Sequence, residues 1–140
     1  MIMKKPITIK NKTIPFGNYT CINLFGILFT KVDLNERERN HEAIHTVQFL
    51  ELIPVGVIVI FILQCIFDFS SWWYLCSILT FYSLYGGEYI IIRLFHKKQN
   101  DAYHDVSFEE EAHNNDENLN YLDNRKHFSS FKYVKIKSNK

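Results

Sequence analysis

The residues best equipped for chemistry stand together at 40–48, NHEAIHTVQ. His41 and His45 are four apart, so on a helix they share one face, a turn apart, and both imidazoles can reach one metal ion. Glu42 follows the first histidine directly. From there its carboxylate projects beside an ion rather than onto it, where it can take a proton from water and pass it to a leaving amine. A hydrolytic zinc site needs three protein ligands and an open position, so a third donor must come from elsewhere. The downstream acidic candidates are Glu88 and the run Glu109-Glu110-Glu111. Asn40, Gln48 and Glu88 are candidates for orienting a ligand or the substrate. The plainer reading of the pair is two exposed histidines on an amphipathic helix at a lipid surface, with Gln48 at headgroup level.

Two apolar runs must carry these groups. Leu52 to Phe67 holds no charge and one amide, Gln64, and Trp72 to Ile92 holds only Glu88 as an ionisable group. The second run is long enough to span a bilayer. The first reaches if Gln48–Glu51 and Asp68 lie among headgroups. Trp72, Trp73 and Tyr74 begin the second run, where an aromatic belt belongs. A soluble helical hairpin would have to cover two all-apolar helices with the remaining half of a small chain, so the membrane is the better solvent. Lys31, Arg37 and Arg39 precede the first run, and Arg93, Lys97 and Lys98 follow the second. The DFSS turn between them has no basic residue, so both termini are expected in the cytoplasm of a bacterial inner membrane.

Around the hairpin, residues 6–32 read as a β segment: the short runs PITIK and NKTIP, an FGN turn, then YTCINLFGILFTK as one long strand-prone stretch. Asp33 with Glu36 has capping-box spacing, which predicts a helix from 33 that continues through the motif to 67, with a bend at Pro54 and Gly56. A second membrane helix is expected over 72–95. Residues 96–140 turn polar, and SFEEEAHNNDENLNYLDNRKHF reads as a cytoplasmic helix with Ser107 as N-cap. The chain closes on a basic, aromatic tail, RKHFSSFKYVKIKSNK, suited to anionic headgroups or simply solvated. The expectation is therefore an α+β membrane protein. It combines a short N-terminal β segment, an HExxH helix, a two-helix transmembrane hairpin and a C-terminal cytoplasmic helix, all in a single domain of 140 residues.

Composition narrows the function classes. A net charge of +1 argues against nucleic acid, and no nucleotide or flavin motif is present. A mean hydropathy of −0.12 conceals how unevenly the apolar residues are spread. Cys21, Cys65 and Cys76 have no metal spacing and read as free thiols. The MIMKKPITIKNK start has no apolar core and does not read as a cleaved signal peptide.

HEAIH, followed after apolar spans by Glu109-Glu110-Glu111-Ala112, resembles the membrane-embedded gluzincin proteases. These comprise the CAAX prenyl proteases, a related heat-shock membrane protease and the antibiotic-sensing peptidases. There the third zinc ligand is the glutamate that begins an ExxAD-type segment. The resemblance implies a zincin-like fold, zinc as cofactor and Glu109 as third ligand, with Glu111 as the alternative. His113 stands where those families often have aspartate. IPFGNYTCINLFGILFTK resembles the edge strand and FG turn that precede their HExxH, which implies a strand able to pair with an extended substrate. Over nearly the whole length, Ile22–Gly26, Asn40–His45 with Gln48, Glu88 with Arg93, Ser107–Ala112 and Asn120–Leu122 resemble a family of small bacterial membrane proteins of uncharacterised activity.

The expected activity is hydrolysis of peptide bonds near the cytoplasmic membrane face, with membrane lipids and a peptide or protein substrate as partners. Tyr103 or His104 could stabilise an oxyanion. The alternatives are a metal-binding or regulatory membrane protein without turnover, and a structural hairpin without metal. For Glu88, pairing with Arg93 or facing a polar crevice is favoured over ligation.

Overall fold

The computed structural model describes residues 6–17, 19–95 and 99–134, and has a mixed α+β architecture. Lys97, Lys98 and the end of the basic tail, from 135, lie outside the described residues. Packing divides the chain into two units. One holds Met1–Leu50 and Ala112–Lys126; the other holds Glu51–Glu111 and His127–Lys140.

The first unit is built on a three-stranded sheet of order β1-β3-β2, from β1 (Ile7–Lys10), β2 (Cys21–Leu24) and β3 (Ile27–Thr30). β3 is central, parallel to β1 and antiparallel to β2. The stretch expected as one strand is thus a hairpin. It is folded at Phe25 and Gly26, whose φ angles of 55° and 78° suit the two-residue turn that matches strand twist. A side chain on Gly26 would press on Thr46 at 3.3 Å, so the turn also needs glycine for room. NKTIP forms no strand; its Asn11 side chain instead accepts the Thr13 N–H at 2.7 Å.

Helix α1 (Glu36–Ile66) begins later than expected. The Glu38 N–H donates to Asn35 Oδ1 at 2.8 Å, and the Asn35 N–H donates to Glu38 Oε2 at 2.9 Å. This reciprocal cap satisfies two orphan donors with Asn35 and Glu38, not Asp33 and Glu36. Asp33 is occupied by Lys10 at 2.7 Å, which holds its carboxyl below the usual range through hydrogen bond and charge. The helix buries Ala43, Ile44 and Val47 with Ala112 and Leu122. Asn23 fastens β2 to it, donating to the Glu42 carbonyl at 2.9 Å and to Thr46 Oγ1 at 3.0 Å.

The single C-terminal helix expected from Ser107 is in fact two, α4 (Ser107–Asn115) and α5 (Tyr121–Asn124). The break is a capping event across 75 residues of sequence. The buried Asn40 amide donates to the carbonyls of Asn115, Asp116 and Asn118 at 3.2, 2.9 and 3.1 Å, satisfying acceptors that a longer helix would have used itself.

The second unit contains the apolar elements. The C-terminal half of α1 is followed by a 3-10 segment (Ser71–Leu79) and α2 (Thr80–Phe95). Two helices, Glu36–Ile66 and Ser71–Leu94, are long and apolar enough to cross a membrane. Gln64, the one amide in its run, is satisfied: Tyr74 donates to it at 2.8 Å and it donates to the Phe69 carbonyl at 3.0 Å. Gly56 marks a close approach to the second helix, since a Cβ there would lie 2.1 Å from Thr80 Oγ1 and 3.0 Å from Ser77 Cα. The unit also holds a short helix α3 (Gln99–His104) that the sequence did not suggest. A 3-10 turn (Ser129–Tyr133) follows residues held by Glu51, which accepts from His127 Nδ1 at 2.9 Å and the Phe128 N–H at 3.1 Å.

Candidate metal centre

The helical spacing of the motif does what its geometry requires. His41 and His45 face each other at a ring-centroid separation of 4.7 Å, and their Nε2 atoms are 3.0 Å apart. On the far side of His45, Nδ1 lies 2.8 Å from Gln48 Oε1. An amide oxygen only accepts, so Nδ1 carries the proton and Nε2 keeps its lone pair. His41 Nδ1 lies 3.7 Å from Asp116 Oδ2, too far for a hydrogen bond. Both Nε2 atoms point at one small region. At 3.0 Å they repel unless something positive lies between them, either a shared proton or a cation.

Within the first unit two sets of ligand atoms come together: His41, His113 and Asp116 as three, and His41 with His45 as a pair. A set of imidazoles and one carboxylate suits a first-row divalent cation such as zinc. Glu109 is buried at 3% exposure, and its Oε1 accepts from Tyr85 and Tyr103, both at 2.9 Å. Tyr103, a candidate for oxyanion stabilisation in the sequence, thus donates to Glu109; His104 packs edge-on against it. Glu111 is fully buried and belongs to neither set.

Glu42 is half-buried beside β2. The Cys21 Sγ donates weakly to its Oε1 at 3.6 Å, and burial, reinforced by the Glu42 charge, pushes the Cys21 thiol from 9.0 to about 11. The thiol therefore stays a donor at neutral pH. β2 is an edge of the sheet.

Glu88 faces Ser107. Its carboxylate caps α4, accepting the Ser107 N–H at 3.0 Å and the Ser107 hydroxyl at 2.7 Å, where a negative charge complements the helix dipole. Asn40 is likewise a cap, as described above. The residues that sequence reasoning missed are Asp116 and His113. A signal did exist, because Glu109, His113 and Asp116 follow at i, i+4 and i+7, one stripe of a helix. Asp116 is buried and its other oxygen, Oδ1, accepts from Arg37 Nε at 2.9 Å, which raises the Arg37 pKa.

No family model, curated protein or solved structure matches this chain.

Proposed function

We propose that this chain is a small membrane-bound zinc metallopeptidase of the gluzincin kind its motifs resemble, acting on peptide bonds close to the cytoplasmic face of a bacterial inner membrane. The observation that carries the reading is the convergence of His41 and His45 Nε2 at 3.0 Å, with an acceptor or carboxylate behind each ring. His41, His45 and Glu109 would hold the ion. When bound, it supplies Lewis acidity toward water and toward a carbonyl oxygen.

The chain's own groups do the rest. Gln48 fixes the orientation and proton position of the His45 imidazole. Tyr85 and Tyr103 hold Glu109 Oε1 in place. Glu42, one residue past the first ligand, takes a proton from water and returns it to the leaving amine. The edge strand β2, tied to the motif helix through Asn23, offers backbone groups to an extended peptide. Lipid is the solvent for the large apolar side chains that α1 exposes after Val57.

A second reading, a metal-binding regulator without turnover, is favoured by the Cys21 thiol already resting on the Glu42 carboxylate. One set of proteins separates the two. Protein without a histidine tag is purified in mild detergent, and zinc per chain and peptide hydrolysis are measured for wild type, His45→Ala, Glu109→Gln, Glu111→Gln and Glu42→Gln. Near one zinc per chain is expected, lost with His45 and Glu109 and kept with Glu111 and Glu42. Hydrolysis is expected in wild type and absent in Glu42→Gln. Zinc without hydrolysis in any protein selects the regulator, and no zinc in wild type removes both readings.

A further inference from the structure

Of the set His41, His113 and Asp116, the last two take no part in the proposed chemistry. We infer that these three side chains form a second, outer cation site that shares His41 with the inner one and therefore excludes it. The inference rests on the proposed function only in taking His41 and His45 Nε2 to be the inner pair.

The three donors lie close together on one face of the first unit. Asp116 Oδ2 lies 3.7 Å from His41 Nδ1 and 3.8 Å from His113 Nδ1, and the two rings are tilted at 54° with centroids 4.6 Å apart. These gaps are too long for hydrogen bonds. Metal–ligand bonds of about 2.0–2.2 Å at tetrahedral angles place donors about 3.4 Å apart, so a small cation would draw the three atoms inward by a few tenths of an ångström. Asp116 is prearranged for this. Arg37 takes its Oδ1, and Oδ2 is the oxygen turned toward both histidines. His113 is exposed, so ions can arrive from solvent. The neighbouring Arg37 charge makes the site weaker than one with an uncompensated carboxylate.

Exclusion follows from the imidazole itself. A neutral ring has one lone pair. With Nδ1 protonated, His41 presents Nε2 beside His45. With Nε2 protonated, it presents Nδ1 beside His113 and Asp116. The outer site is a holding position for the same class of ion, read by the tautomer of one ring.

The test uses cobalt(II) as probe on full-length protein in mild detergent, by equilibrium dialysis and visible absorption. His45→Ala removes the inner site, and Glu109→Gln provides a second route to the same end should the first fail to fold. Each is expected to keep one cobalt at least tenfold more weakly than wild type. Adding His113→Ala or Asp116→Asn should remove it, and adding Arg37→Gln should tighten it. A folded His45→Ala and a folded Glu109→Gln that bind no cobalt overturn the outer site and leave the inner one standing, as does retained cobalt that survives both His113→Ala and Asp116→Asn. Wild-type binding that ignores His45 and Glu109 but is lost with His113 upholds the outer site and overturns the inner ligand set. Two cobalt ions bound at once per wild-type chain overturn the exclusion.

Discussion

The two halves of α1 obey opposite rules. From Asn40 to Gln48 the helix buries polar side chains: Asn40, His45, Thr46 and Gln48 are all buried, and for each a hydrogen-bond partner is identified. From Val57 to Ile66 it exposes apolar ones, with Ile58 and Phe61 each 58% and Ile66 68% accessible. In water the second arrangement would be costly, since large contiguous apolar surface on a monomer marks something that covers it. In a bilayer it is the expected one, because lipid replaces a protein core while the backbone satisfies itself within the helix. The contrast teaches that one continuous helix can bury polar side chains along one stretch and expose apolar ones along the next. Its hydrogen bonds are local, and only its side chains meet the surroundings.

The contrast breaks most visibly at the apolar half. Ile58→Arg is expected to cost about 2.5–3.5 kcal/mol of insertion if that face meets acyl chains, and to reduce the protein retained in membranes after an alkaline carbonate wash. A variant that stays fully retained, or that turns soluble and folded, would place the face elsewhere. In the polar half, Asn40→Ala removes the donor shared by three carbonyls, that of the buried Asp116 among them, and is expected to destabilise the fold by about 1–3 kcal/mol, read as a lowered thermal midpoint in detergent. Asn40→Asp should be no better, because a carboxylate has nothing to donate to a carbonyl.

Glycines offer a finer comparison within the apolar unit. Gly56→Ala forces a Cβ against the Ser77 backbone and should cost about 1–3 kcal/mol. Gly86→Ala and Gly87→Ala meet open space and should gain up to about 1 kcal/mol from helix propensity, in the same thermal assay.

The smallest effect concerns Cys21. Its thiol is raised from 9.0 to about 11, first by burial and then by Glu42. Below pH 9 it is protonated whether folded or not. Between 9 and 11 the folded chain keeps a proton that the unfolded chain releases, so this contribution to stability is lost as pH rises through that window. In a Cys65→Ser, Cys76→Ser background, alkylation should have its midpoint near 11 and shift downward in Glu42→Gln. An unshifted midpoint would mean that Glu42 does not face the thiol.

Much of this was legible in the residues. His41, His45 and Gln48 share a face because the α-helical period is local, and the reach of the apolar runs follows from their length. The turn at Phe25-Gly26 was harder to see, because the stretch around it is strand-prone throughout and only Gly26 interrupts it. The cap of α1 lies two residues later than the spacing predicts. Asp33 and Asn35 both precede a glutamate at capping distance, and a lysine from β1 removed the first from competition.

What the sequence determined by itself is everything that depends on neighbours along the chain: helical faces, apolar length, the acid beside the first histidine. What only the tertiary structure decided is everything paid for by long-range desolvation. Asp116 stands behind His41 from 75 residues away, Asn40 ends a distant helix, and Glu88 caps Ser107. Each follows from the same physical rule, that a buried polar group must find a partner wherever the fold provides one. Spacing along the chain carries no record of which partner that will be.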